Sequence, residues 1–109
     1  MLDYSISDYR VLAVRWNGAM EKSLFTKQYR VFLERLRKAR VEANLTQAQL
    51  ARRLGETQSF ISKVERGERR LDVVELRVFC RALRVPVPAF THDLDHALSV
   101  GERRRSGRS

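Results

Sequence analysis

The chain is poor in residues that cross-link, ligate or insert into membranes. Its single cysteine, Cys80, can form no internal disulfide, and with only two histidines besides the usual four-ligand zinc arrangements are out of reach. Cys80 is therefore read as a small core residue. No apolar run approaches the roughly 20 residues needed to span a bilayer, and the N-terminal "MLDYSISDYR" lacks the basic-then-apolar order of a secretion signal. A cytoplasmic protein with no membrane partner is expected. Neither a Gly-rich phosphate loop nor a nucleophile elbow nor a metal signature occurs, so no serine or histidine has a catalytic setting. Neither enzymatic activity nor a cofactor is expected. His92 and His96 in "HDLDH" stand one helical turn apart beside Asp93 and Asp95. Two histidines on a closing helix are far more often surface residues than ligands, and no metal site is assigned.

Acidic residues are also in short supply. Lys and Arg number 22 against 13 Asp and Glu, for a formal net charge of +9 on 109 residues. That excess is the footprint of a polyanionic partner, and alone it suits DNA, RNA, an anionic membrane or acidic proteins equally. The length suits one small domain.

Helical patterns fill most of the chain. "KQYRVFLERLRKARVEA", residues 27–43, repeats Phe32, Leu36, Ala39 and Ala43 at steps of three and four, one face of an amphipathic helix. Arg30, Arg35, Arg37 and Lys38 crowd its other faces. "LTQAQL" then supplies a complete helix start: Thr46 as N-cap, Gln49 as its reciprocal partner, and Leu45 with Leu50 as a hydrophobic staple. This second helix runs from Gln47 to Leu54, where Gly55 suits the left-handed C-terminal position. Thr57 caps a third helix that Gly67 ends. Asp72 with Glu75, stapled by Leu71 and Leu76, opens a fourth that reaches about Leu83. "VPVPAFTHDLDHAL" starts a fifth with first-turn prolines and an apolar face of Phe90, Leu94, Ala97 and Leu98.

The ends read differently. "GERRRSGRS", residues 101–109, has nothing to bury, and a disordered basic tail is expected over residues 100–109. Residues 1–26 form an N-terminal arm, either a strand or disordered, in which "YRVLAVRWNG" could be a strand ending in an Asn-Gly turn. Met20 would itself serve as a natural start, so the role of residues 1–19 stays open. Residues 27–99 make the domain.

With Ile61 at the centre of the third helix's buried face, Val64 and Phe60 fall on or beside it. Ser59, Ser62, Lys63 and Arg66 fall opposite, and Gln58 projects from the first turn. Short hydrogen-bonding groups with two cations make a surface suited to base edges in a major groove, which admits one α-helix. Phe60, at the edge of the stripe, is assigned to partial packing rather than to a thymine methyl.

"LTQAQLARRLGETQSFISKVERGER", followed by "ALRVP", resembles the phage repressor and Cro-like (XRE) helix-turn-helix family from about Tyr29 to Phe90. The resemblance implies an all-α, five-helix lambda-repressor-like fold and a small regulator of transcription, expected to act as a repressor on double-stranded DNA. It assigns base contacts to Gln58, Ser59, Ser62 and Lys63, and phosphate contacts to Gln47, Thr57, Arg66, Arg69 and Arg70. It also assigns an ion pair between the first and third helices to Arg40 and Glu65. Ser59 departs from the longer polar side chain often found there, which shifts the expected specificity toward Gln58, Lys63 and DNA shape. One reading helix covers few base pairs, so a homodimer on a two-fold site is expected, joined through Phe90, Leu94 and Leu98 or through the arm. The rival reading is an antitoxin-like interaction protein with a small protein partner, whose DNA binding serves autoregulation.

Overall fold

A computed structural model describes residues 22–106. The suggested arm strand and Met20 lie outside the described residues. Five helices follow in order: α1 Lys22–Glu42, α2 Gln47–Leu54, α3 Gln58–Glu65, α4 Val73–Leu83 and α5 Val87–Ser106. No strand occurs among the described residues.

The helix starts are set by local chemistry. Thr46 Oγ1 accepts from the backbone N–H of Gln49 at 3.1 Å, and Gln49 Oε1 accepts from that of Thr46 at 2.8 Å. Asp72 and Glu75 make the same reciprocal box at 2.7 and 3.0 Å. At the start of α5, Pro86 offers its carbonyl to Phe90 N at 3.0 Å. Pro88 sits in the first turn, where its missing N–H costs no helical bond. Gly55 closes α2 at φ +68°. Gly67, at φ +81°, also lies where a Cβ would meet Leu33 Cδ1 at 3.1 Å, so its lack of a side chain lets the turn after α3 close against α1.

Every helix contributes to one core. Leu36, Leu50, Ile61, Val64 and Cys80 are its most enclosed side chains. Leu45, Ala51, Leu76, Phe79, Leu83 and Phe90 surround them. Burying each large apolar side chain contributes about 1.5–3 kcal/mol. Burial also pushes the Cys80 thiol up from its ordinary pKa, away from the thiolate form.

Two extents and the use of one helix face differ from the sequence expectation. The first helix begins at Lys22, five residues before the periodic stretch. The last continues to Ser106, so residues 100–106 are helical where a disordered tail was expected. Their arginines lack an apolar face but are good helix formers, and a helix already nucleated on the core propagates at little cost. The apolar face of α5 is also largely used inside the fold. Phe90 is buried, with its ring edge-on to Phe32 at 5.9 Å, and Leu94 and Leu98 are half-buried. Of the face expected to supply a dimer contact, Phe90 is withdrawn into the core and Leu94 and Leu98 stay partly exposed.

Candidate nucleic-acid interface

The turn between α2 and α3 leaves the outward side of α3 open to solvent. Ile61 and Val64 are fully buried, and that anchors the inner face. Opposite them Gln58, Ser59, Lys63 and Arg66 are exposed, and Ser62 is half-buried. Neither α2 nor α3 has an acidic residue in its first turn, so both positive helix ends are uncompensated and favour anions. Thr57 Oγ1 accepts from Phe60 N at 3.1 Å. A hydroxyl that accepts still has its own proton to donate, so the cap remains compatible with a phosphate oxygen.

A buried clamp sets the angle at which α3 is presented. Arg40 Nε donates to Glu65 Oε2 at 2.6 Å and Nη2 to Oε1 at 3.1 Å, while Nη1 donates to the Leu45 carbonyl at 2.8 Å. Gln47 Nε2 donates to Glu65 Oε1 at 2.9 Å. Three helices and the turn before α2 are thus tied at one carboxylate. The Gln47 amide, assigned to phosphate by resemblance, is oriented by this bond and keeps its carbonyl oxygen and second N–H.

The remaining assigned cations are less free than their sequence positions suggest. Arg66 Nε meets Glu68 Oε2 at 2.7 Å, and its Nη1 donates to the Ser62 hydroxyl. The hydrogen bond and charge of Glu68 raise the Arg66 pKa, and Arg66 lowers that of Glu68. Both side chains are more than half exposed, so solvent screens the pair and a phosphate can compete for Arg66.

Arg69 is held more firmly. It forks onto Glu75 at 3.0 and 2.6 Å, and its guanidinium lies 5.1 Å from the centre of the Phe60 ring. Phe60 in turn packs 6.3 Å from Phe79. Arg69 therefore braces the turn after α3 against the start of α4. The Arg69 guanidinium, with the Asp72 backbone N–H, brings the Glu75 carboxyl down to about 2. The Arg70 guanidinium sits 4.3 Å over the Tyr29 ring, and the Tyr29 hydroxyl accepts from Leu71 N at 3.3 Å.

The fold thus brings Gln47, Arg40 and Glu65 into one cluster and Gln58, Ser59, Ser62 and Lys63 onto one surface. Arg69 is drawn away into a structural fork. The pairing of Glu68 with Arg66 and of Glu75 with Arg69 was missed by sequence reading, which gave Glu75 only as a capping partner. A carboxylate two or six residues from an arginine across a turn has no periodic signature. Among the described residues no group of three or more His, Cys, Asp and Glu could hold a metal ion, and no helix is long and apolar enough to cross a membrane.

A family model described as "Helix-turn-helix" matches residues 36–90. A curated protein of Rhodospirillum rubrum, an "Uncharacterized transcriptional regulator in ATPase CF(0) region", is 36% identical over 74 residues. That alignment covers 68% of this chain and 65% of the relative, so the chain spans about two thirds of that relative's length. A solved structure, an "XRE-family like protein from Pseudomonas syringae pv. tomato str. DC3000", is 42% identical with a TM-score of 0.65. The match covers 70% of this chain and 93% of that one.

Proposed function

Because the chain belongs to the XRE-type helix-turn-helix family, we propose that it is a sequence-specific transcriptional regulator that reads double-stranded DNA with α3. The observation that carries this reading is the two-sided character of α3. Ile61 and Val64 lock one side into the core, and Gln58, Ser59 and Lys63 stand exposed on the other. In a major groove Gln58 can pair with adenine N6 and N7, and Lys63 with guanine O6 and N7. Gln47 and Thr57, at the positive ends of α2 and α3, suit backbone phosphates and set register rather than sequence. Arg66 and Arg70 add charge at the end of α3.

The name of the Rhodospirillum rubrum relative supports regulation of transcription. Repression in the cytoplasm requires only that the protein occupy its site and exclude competitors. One helix reads a few base pairs, so useful specificity calls for a homodimer on half-sites about 34 Å apart or a multiple of that.

Selection of sites from a random duplex library by the full chain, at two salt concentrations, tests the reading. A two-fold symmetric motif that persists at the higher salt is expected. Binding without a motif that vanishes with salt would overturn it, since only counterion release would then be at work.

A further inference from the structure

A second basic feature lies beside the reading helix and is assembled only by the tertiary fold. Between α1 and the turn after α3 runs a cleft of about 310 Å³. Four arginines line it, Arg30 and Arg37 from α1 and Arg66 and Arg70 from the turn, and all four are exposed. Two carboxylates share the lining, Glu34 and Glu65. Glu65 is committed to Arg40 and Gln47, so the cleft keeps a positive excess. Concave walls concentrate such a field.

The geometry favours an extended anion. Arg30 and Arg37 are seven residues apart, which is two turns on one face and about 10.5 Å along the helix. Neither makes an ion pair with a described residue. Arg70 is steadied over the Tyr29 ring, which reduces the ordering cost of binding. The cleft reaches Glu65 and Arg66 at the end of α3 and so adjoins Gln47, which is hydrogen-bonded to Glu65. Guanidinium groups suit phosphate because they can fork onto two oxygens.

We infer that this cleft is a second phosphate-binding site, taking the phosphodiester backbone of duplex DNA that flanks the half-site read by α3. The inference rests on the DNA-reading function proposed above. Phosphates follow one another at about 3.4 Å of axial rise per strand, so Arg30 and Arg37 engage different phosphates and α1 is laid along the flank. The base-reading face is left unchanged.

The test compares wild type with the R30Q/R37Q double variant on two duplexes carrying the selected site. One duplex ends at the site, and the other extends about one helical turn beyond it on each side. Wild type is expected to prefer the extended duplex, and the double variant to lose that preference while selecting the same motif. On the extended duplex the slope of log affinity against log salt should be shallower by about 1.8 per protomer. That is about 12-fold less loss over a fourfold rise in salt. The R30K/R37K variant should restore most of the slope.

A double variant with wild-type slope and affinity on the extended duplex overturns the inference. So does an equal loss on both duplexes, which would place the contacts inside the site. Inorganic phosphate alone provides a further check by NMR. Saturable shifts at Arg30 and Arg37, without dependence on the DNA flank, would assign a small-anion site instead. A wild-type protein that selects no motif overturns the reading of α3 itself, whereas loss of flank dependence with the motif intact overturns only the cleft.

Discussion

Substitution of Glu65 by alanine should be among the most damaging single changes in the molecule. It removes two hydrogen bonds from Arg40, at 2.6 and 3.1 Å, and one from Gln47 at 2.9 Å. Arg40 is only 8% exposed, and the Leu45 carbonyl at 2.8 Å would be its one remaining partner in the clamp. Stranding one member of a buried pair costs about 3–5 kcal/mol. Summing two charged hydrogen bonds at about 1.5–3 kcal/mol each leads to a similar figure. Small domains hold about 5–15 kcal/mol in total, so a large share of the stability would go.

At about 4–8 °C per kcal/mol for domains of this size, the melting temperature should fall by at least about 12 °C. Urea unfolding followed by circular dichroism measures the loss directly. The paired variant R40M/E65L provides the contrast, because replacing both charges by apolar groups of similar volume is often close to neutral. A Glu65→Ala protein within about 1 kcal/mol of wild type would refute the reasoning and mean that water reaches the pair. If Glu65→Ala and R40M/E65L lose stability equally, packing rather than the stranded charge is responsible.

Three further outcomes are expected. Arg84 closes α4 in the left-handed region at φ 60°, so Arg84→Gly should stabilise the fold by about 0.5–1 kcal/mol in urea unfolding, relief of strain outweighing the added freedom of the unfolded chain. The Glu75 carboxyl is lowered from an ordinary 4.5 to about 2. Its stabilising effect is thus complete above pH 4.5 and is lost as the pH falls toward 2. NMR titration should find its midpoint near 2 in wild type, and nearer the ordinary value in Arg69→Gln. On DNA, Gln58→Ala and Lys63→Ala should each relax preference at particular bases, whereas Gln47→Ala should weaken every sequence alike. Equal losses from all three on every duplex would remove the groove assignment.

Local chemistry was legible in the order of residues. The all-α, five-helix reading holds, and α2 and α4 begin where Thr46–Gln49 and Asp72–Glu75 announce them, because a capping box closes within four residues and needs no tertiary partner. The two-faced pattern of α3 was readable for the same reason: 3.6-residue periodicity is a property of the helix itself. Tertiary packing decided that Phe90 is spent in the core and which arginines keep their charge available. Arg66 and Arg69 look alike in sequence, yet one meets an exposed Glu68 and the other forks onto Glu75 with its guanidinium over the Phe60 ring. Their difference arises from contacts across turns, where the chain reverses and no periodicity links the partners. The arginine cleft has the same origin, since Arg30 and Arg37 lie 29 to 40 residues before Arg66 and Arg70 and approach them only when α1 packs against the turn after α3.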